Sequence, residues 1–186
     1  MKYIPVGMVS DILGKVCVDT GVPARGQAVI KTAALVFSPQ LLDYCKSNSC
    51  GMYNKTWTCP PACETFDEQK KRILSFDNAL VFTTKFDLED SFDFEAMTNG
   101  RELHTLLTIE FRKRLDGIPG FPACLFGAGS CPVCKPCAFP EPCPFPEKRI
   151  GSIEAAGINV TELSKAAGIA YNNGPNTVTY FSMCVF

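Results

Sequence analysis

One stretch constrains this chain more than any other: Cys131-Pro-Val-Cys134-Lys-Pro-Cys137-Ala-Phe-Pro-Glu-Pro-Cys143-Pro144-Phe-Pro146. Cys131, Cys134 and Cys137 recur with two residues between each, and Cys143 follows after five more. Gaps of two turn the backbone so that the sulfur atoms converge. A run of this kind, closed by a cysteine followed by proline, marks bacterial ferredoxin loops that hold a four-iron cluster. Eight of the 14 prolines fall between Pro119 and Pro146, which stiffens the loop and keeps it out of a helix.

A chain of 186 residues suits a single domain, residues 1–186, and buries roughly 70% of its unfolded surface. A core is therefore available without staples, and the 11 cysteines need another explanation. The net charge of −1 gives no long-range attraction to nucleic acid or anionic lipid. No apolar run is long enough for a membrane span, and Met1 to Ser10 lacks the apolar core of an export signal. The expectation is a cytoplasmic protein whose thiols stay reduced. The odd cysteine count also argues against a fully paired disulfide framework.

A second cysteine loop, residues 45–63, holds Cys45, Cys50, Cys59 and Cys63, with gaps of four, eight and three residues. These gaps fit no common zinc-finger pattern. Tyr53 and Trp57, the only tryptophan, lie between them. Trp57 is expected either to shield a cluster from water or simply to cover the core. In the other loop, residues 124–146, Gly127 and Gly129 would let backbone approach an inorganic cofactor. Cys17, Cys124 and Cys184 read as small core residues, with Cys124 a possible fifth thiol near the site. His104 reads as a packing residue and a weak candidate ligand.

The scaffold reads as α+β, with strands near 31–37, 79–85, 122–127 and 177–185 and helices near 39–45, 65–75, 93–115 and 160–167. Residues 1–30 are mixed, with 11–18 a strand or short helix. Ser38 and Pro39 read as the cap and first residue of a helix that turns Leu41 and Leu42 inward and ends near Cys45. The clearest helix carries Leu103, Leu106, Leu107, Phe111 and Leu115 on one face. The acidic run from Asp87 to Asp93 reads as a solvated turn and helix start. Ser152 to Gly157 is read as one or two helical turns. A mixed sheet of about four strands with packed helices follows.

The residues Cys45, Cys50, Tyr53, Asn54, Trp57, Cys59, Pro60 and Pro61 form one half of a pattern. The other half is Gly127-x-Gly129-x-Cys131-x-x-Cys134-x-x-Cys137, then Cys143-x-x-Pro146, Ser152, Glu154 and Gly157-Ile158. Together they resemble the cysteine-rich predicted metal-binding proteins of anaerobic bacteria and archaea, over roughly residues 31–186. The resemblance implies an iron–sulfur cofactor and names no activity. Cys63 and Pro144 depart from the pattern, which leaves the fourth ligand of the first site open.

Eight thiols suffice for two saturated [4Fe-4S] clusters, and saturated clusters transfer electrons to a redox partner protein. If Cys63 is not a ligand, one iron is open, and the alternative is an enzyme acting on a small molecule by desulfuration or reductive cofactor activation. Cys143 and Cys59, each followed by proline, could exchange between the two centres. A structural zinc protein is the second alternative. No serine–histidine–acid set, phosphate loop or basic aromatic patch is found.

Overall fold

The computed structural model describes residues 5–186. Met1 to Ile4, part of the stretch read as lacking an export signal, lie outside the described residues. Helix α1 (Val6–Thr20) leads into strand β1 (Gly26–Lys31) and a short 3-10 turn. Helices α2 (Leu41–Lys46) and α3 (Phe66–Leu74) follow, separated by the first cysteine loop. Then come β2 (Asn78–Asp87), α4 (Phe94–Asp116), β3 (Cys124–Gly127), β4 (Ile150–Ser152), α5 (Val160–Ala167) and β5 (Thr177–Val185). Five strands form one mixed sheet in the order β1-β2-β5-β3-β4, one strand more than the approximate count expected.

Every pairing is antiparallel except β3 with β4. A parallel pair needs a long crossover, which is usually a helix. Here the crossover is residues 128–149, the proline-rich cysteine loop, whose only helical piece is a 3-10 turn at Pro146–Lys148. The metal-binding candidate is thus also the connection that delivers the edge strand β4.

Alternate residues of β2 feed two cores, as a period of two requires. Leu80 and Phe82 meet Val9, Leu13 and Val16 of α1 and Leu107, Phe111 and Leu115 of α4. Ala79 and Val81 meet Ile73 of α3, Leu163 of α5, and Ile153 and Ile158. Because both faces are covered, β2 reads as a continuous apolar run.

Several sequence expectations shift. Residues 11–18 belong to α1, with Val9, Leu13 and Val16 recurring at helical spacing. The first strand is Gly26–Lys31 rather than 31–37, because Ala28 and Val29 pair with Val81 and Leu80 of β2. Thr32 then turns away and donates its hydroxyl to the Phe76 carbonyl. Helix α2 starts at Leu41, with Ser38 bonded to the Gln40 side chain instead of capping, and Leu41 and Leu42 are only half-buried. Ser152 ends β4, and residues 153–157 form turns rather than helix. Helix α4 is rotated from its expected face: Leu103 and Leu106 are exposed, while Gly100, His104 and Thr108 turn inward. The sheet supplies the reason, since His104 finds Thr84 and Ser182 there as hydrogen-bond partners. The acidic run behaves as expected: Asp93 accepts from the Ala96 amide at 2.9 Å and caps α4.

Candidate metal centre

The first cysteine loop leaves the last turn of α2, where Cys45 sits. Asn48, Gly51 and Asn54 all take positive φ, and these left-handed turns fold the loop back. The amides of Ala62 and Cys63 both donate to the Cys59 carbonyl at 3.1 Å, closing a turn. Cys59 is buried, Cys45 and Cys63 are half-buried, and Cys50 is exposed. Burial pushes the Cys63 thiol up to about 11, with further help from Cys59 and Cys45. Burial also raises the Cys45 thiol, and its neighbours Cys59 and Cys50 add to this. Cys45 and Cys59 thus each have Cys50 and Cys63 as neighbours within the one loop.

The second loop gathers Cys131, Cys134, Cys137 and Cys143, all half-buried, around one hollow of about 10 Å³. Cys143 thus shares the hollow of the second group. Burial raises the Cys131 thiol, and Cys134 and Cys137 add to the rise. The two groups meet at Cys59, which neighbours Cys131 as well as Cys50.

Four contacts hold the first loop to the crossover. The Cys131 amide donates to Thr58 Oγ1 at 3.0 Å. Trp57 Nε1 donates to the Glu141 carbonyl at 2.9 Å. The Trp57 ring also packs edge-on against Phe139 at 5.2 Å, and the Arg149 guanidinium stacks on it at 5.7 Å. Trp57 is therefore the joint between the loops.

All 11 cysteines are free. Among the described residues no three His, Cys, Asp or Glu side chains are pinched closely enough to hold a metal ion as they stand. The donor chemistry nevertheless suits a thiophilic metal, because hydrogen-bond donors are aimed at the sulfurs. The Ile150 amide donates to Cys131 Sγ at 3.5 Å. Gln69 Nε2 donates to Cys63 Sγ at 3.7 Å. The Thr56 and Thr58 hydroxyls both act to lower the Cys59 thiol pKa against its burial. Thr56 Oγ1 is itself buried without a well-formed hydrogen bond. An orphaned buried hydroxyl is costly, and a charged Cys59 thiolate is the acceptor that would satisfy it.

The remaining candidates lie elsewhere, except Cys124, which lines a cleft together with Trp57 and Cys63. Gly127 is inside the sheet, where a Cβ would sit 3.3 Å from Ser182 Oγ. Gly129 has φ +91° and open space around it. Cys184 is fully buried in the first core, and burial drives its thiol far up. Cys17 borders that core from α1, and Cys124 borders the second core. Both ring nitrogens of His104 are engaged by hydroxyls inside the fold. Gln69 and Arg149 escaped sequence reading because only the fold brings them to the loops, and Thr56 and Thr58, though close before Cys59, because a threonine there carries no ligand signal.

The model of one family, described as predicted metal-binding protein (DUF2284), matches residues 28–186. The chain belongs to the DUF2284 family. No curated protein and no solved structure matches it. Within this DUF2284 protein both cysteine groups fall inside the matched span, and metal binding by the family accords with 11 free thiols. No described helix is long and apolar enough to cross a membrane.

Proposed function

We propose that this DUF2284 protein carries two [4Fe-4S] clusters and passes electrons to a partner enzyme. Cys45, Cys50, Cys59 and Cys63 would hold one cluster, and Cys131, Cys134, Cys137 and Cys143 the other. The observation that carries the reading is the pair of N–H donors directed at cysteine sulfur, Gln69 Nε2 at Cys63 and the Ile150 amide at Cys131. Such donors stabilise negative charge on sulfur and are one of the levers a protein has on cluster potential. Cys63 neighbours Cys59 and Cys45, which favours four thiols at the first site over an open iron.

When bound, the clusters supply one-electron chemistry. The chain contributes the rest. Trp57 covers the junction of the loops and limits water there. Thr58, next to Cys59 in the chain, accepts a hydrogen bond from the Cys131 amide, so the two centres share one support. The hollow among the second four thiols is water-sized. Seating a cluster there requires the loop to open, and its lining is loop rather than packed helix or sheet.

Purification without oxygen tests this directly. The expected result is about eight iron and eight acid-labile sulfide per chain, as two cubanes require, with visible absorption that bleaches on reduction. Colourless protein with stoichiometric zinc and no sulfide would overturn it, as would clusters that a strong reductant cannot reduce.

A further inference from the structure

A cleft of about 340 Å³ lies beside the first cysteine loop. That is within the size range of small-molecule sites, roughly 300–1,000 Å³. Three guanidinium groups line it: Arg72 from α3, Arg112 from α4, and Arg149 just before β4. Arg72 is held by Glu64, with contacts at 2.6 and 2.9 Å. Arg112 pairs with Asp116 at 2.7 Å and donates to the carbonyls of Ala123 and Glu147. Arg149 differs from both. Among the described residues it makes no ion pair and no hydrogen bond, only its stack on Trp57. Its Nε is buried without an acceptor, as is that of Arg112.

A charged fork with a buried, unpaired N–H calls for an acceptor, because leaving such a group unsatisfied is costly. Glu64 is already engaged by Arg72, and exposed Glu147 does not pair with Arg149. Guanidinium matches planar carboxylate and phosphate oxygens through paired hydrogen bonds. Thr58 and Gln69 on the same wall add polar groups, and Phe126 and Leu125 add apolar surface. We infer that this cleft binds a small oxyanion, a carboxylate or phosphate of metabolite size, with Arg149 as its principal anchor. The inference stands on the cleft and its arginines and does not require iron in the cysteine loops.

The test is calorimetric titration of the full chain, purified without oxygen, with succinate, inorganic phosphate and neutral succinamide in turn. Saturable binding is expected for at least one anion at millimolar concentration or below and not for succinamide. The better anion identifies the ligand class. Arg149→Gln should weaken binding about tenfold or more, as loss of a charge-assisted pair does. Arg149→Lys should fall between, since a point charge keeps attraction and loses the fork. The single tryptophan gives a second readout in the unsubstituted protein. An anion that engages Arg149 should change Trp57 fluorescence with the same saturation curve, whether or not the variant folds. Absence of anion binding, equal binding of succinamide, or unaltered affinity in folded Arg149→Gln would each overturn the inference.

Discussion

Acidification between about pH 6.5 and pH 4 should destabilise the fold through His104 by about 3 kcal/mol. The ring is 1% exposed. Its Nδ1 lies 2.9 Å from Thr84 Oγ1 and its Nε2 2.8 Å from Ser182 Oγ, so the neutral ring is satisfied at both ends. Burial penalises the cation and lowers the pKa from 6.5 to about 4, against a smaller opposing effect from the Phe181 backbone. The unfolded chain therefore takes up the proton near pH 6.5, while the folded one resists until about pH 4. Between these values the unfolded state binds more protons, so stability falls as pH falls. The contribution is fully present above pH 6.5 and gone below pH 4. At about 1.4 kcal/mol per pH unit, a gap of this width gives the figure above. The chain has one histidine, so its ring proton signals in an NMR titration are unambiguous. Urea unfolding across the same pH range should show a slope that His104→Gln lacks, because glutamine keeps hydrogen-bonding atoms and does not titrate. A native ring titrating near 6.5, or identical slopes in the two proteins, would refute the reasoning.

Thr56→Val removes the buried hydroxyl that acts on Cys59. If the proposed cluster is seated at Cys59, its midpoint potential should drop, because a donor that favours the more negative, reduced state is gone; redox titration checks this, and an unchanged potential would detach Thr56 from the centre. Gly100→Ala places a Cβ 2.6 Å from Phe86 Cδ2 and 3.3 Å from its Cβ. Overpacking of about 1–3 kcal/mol should exceed the gain of about 1 kcal/mol from better helix propensity, so the thermal midpoint falls. A rise would show that Phe86 yields freely.

The thiol groups were legible because cysteine spacing is local, and β2, β5 and α3 because their apolar patterns and caps are local too. The reciprocal capping box of Thr65 and Glu68 is one example. What was not legible depends on contacts between distant segments. The face of α4 turned on polar partners in β2 and β5, so a leucine count placed Leu107, Phe111 and Leu115 correctly and misplaced Leu103 and Leu106. Strand β4 has only three residues and no period to detect. The nearness of Cys59 to Cys131 follows from the crossover between β3 and β4. Likewise Arg149 acquires meaning only beside Trp57, far away in sequence.

The crossover carries one more consequence. Strand β4 lies at the end of the sheet order, and residues 128–149 are what bring it to β3. The amide of Ile150, its first residue, bonds a cysteine sulfur. Damage to that sulfur by oxygen would remove one anchor of the margin that covers the backbone of Leu125 and Phe126 and loosen it. Backbone bared by such loosening templates pairing with another molecule. Oxidised protein should clump while its helices are still intact.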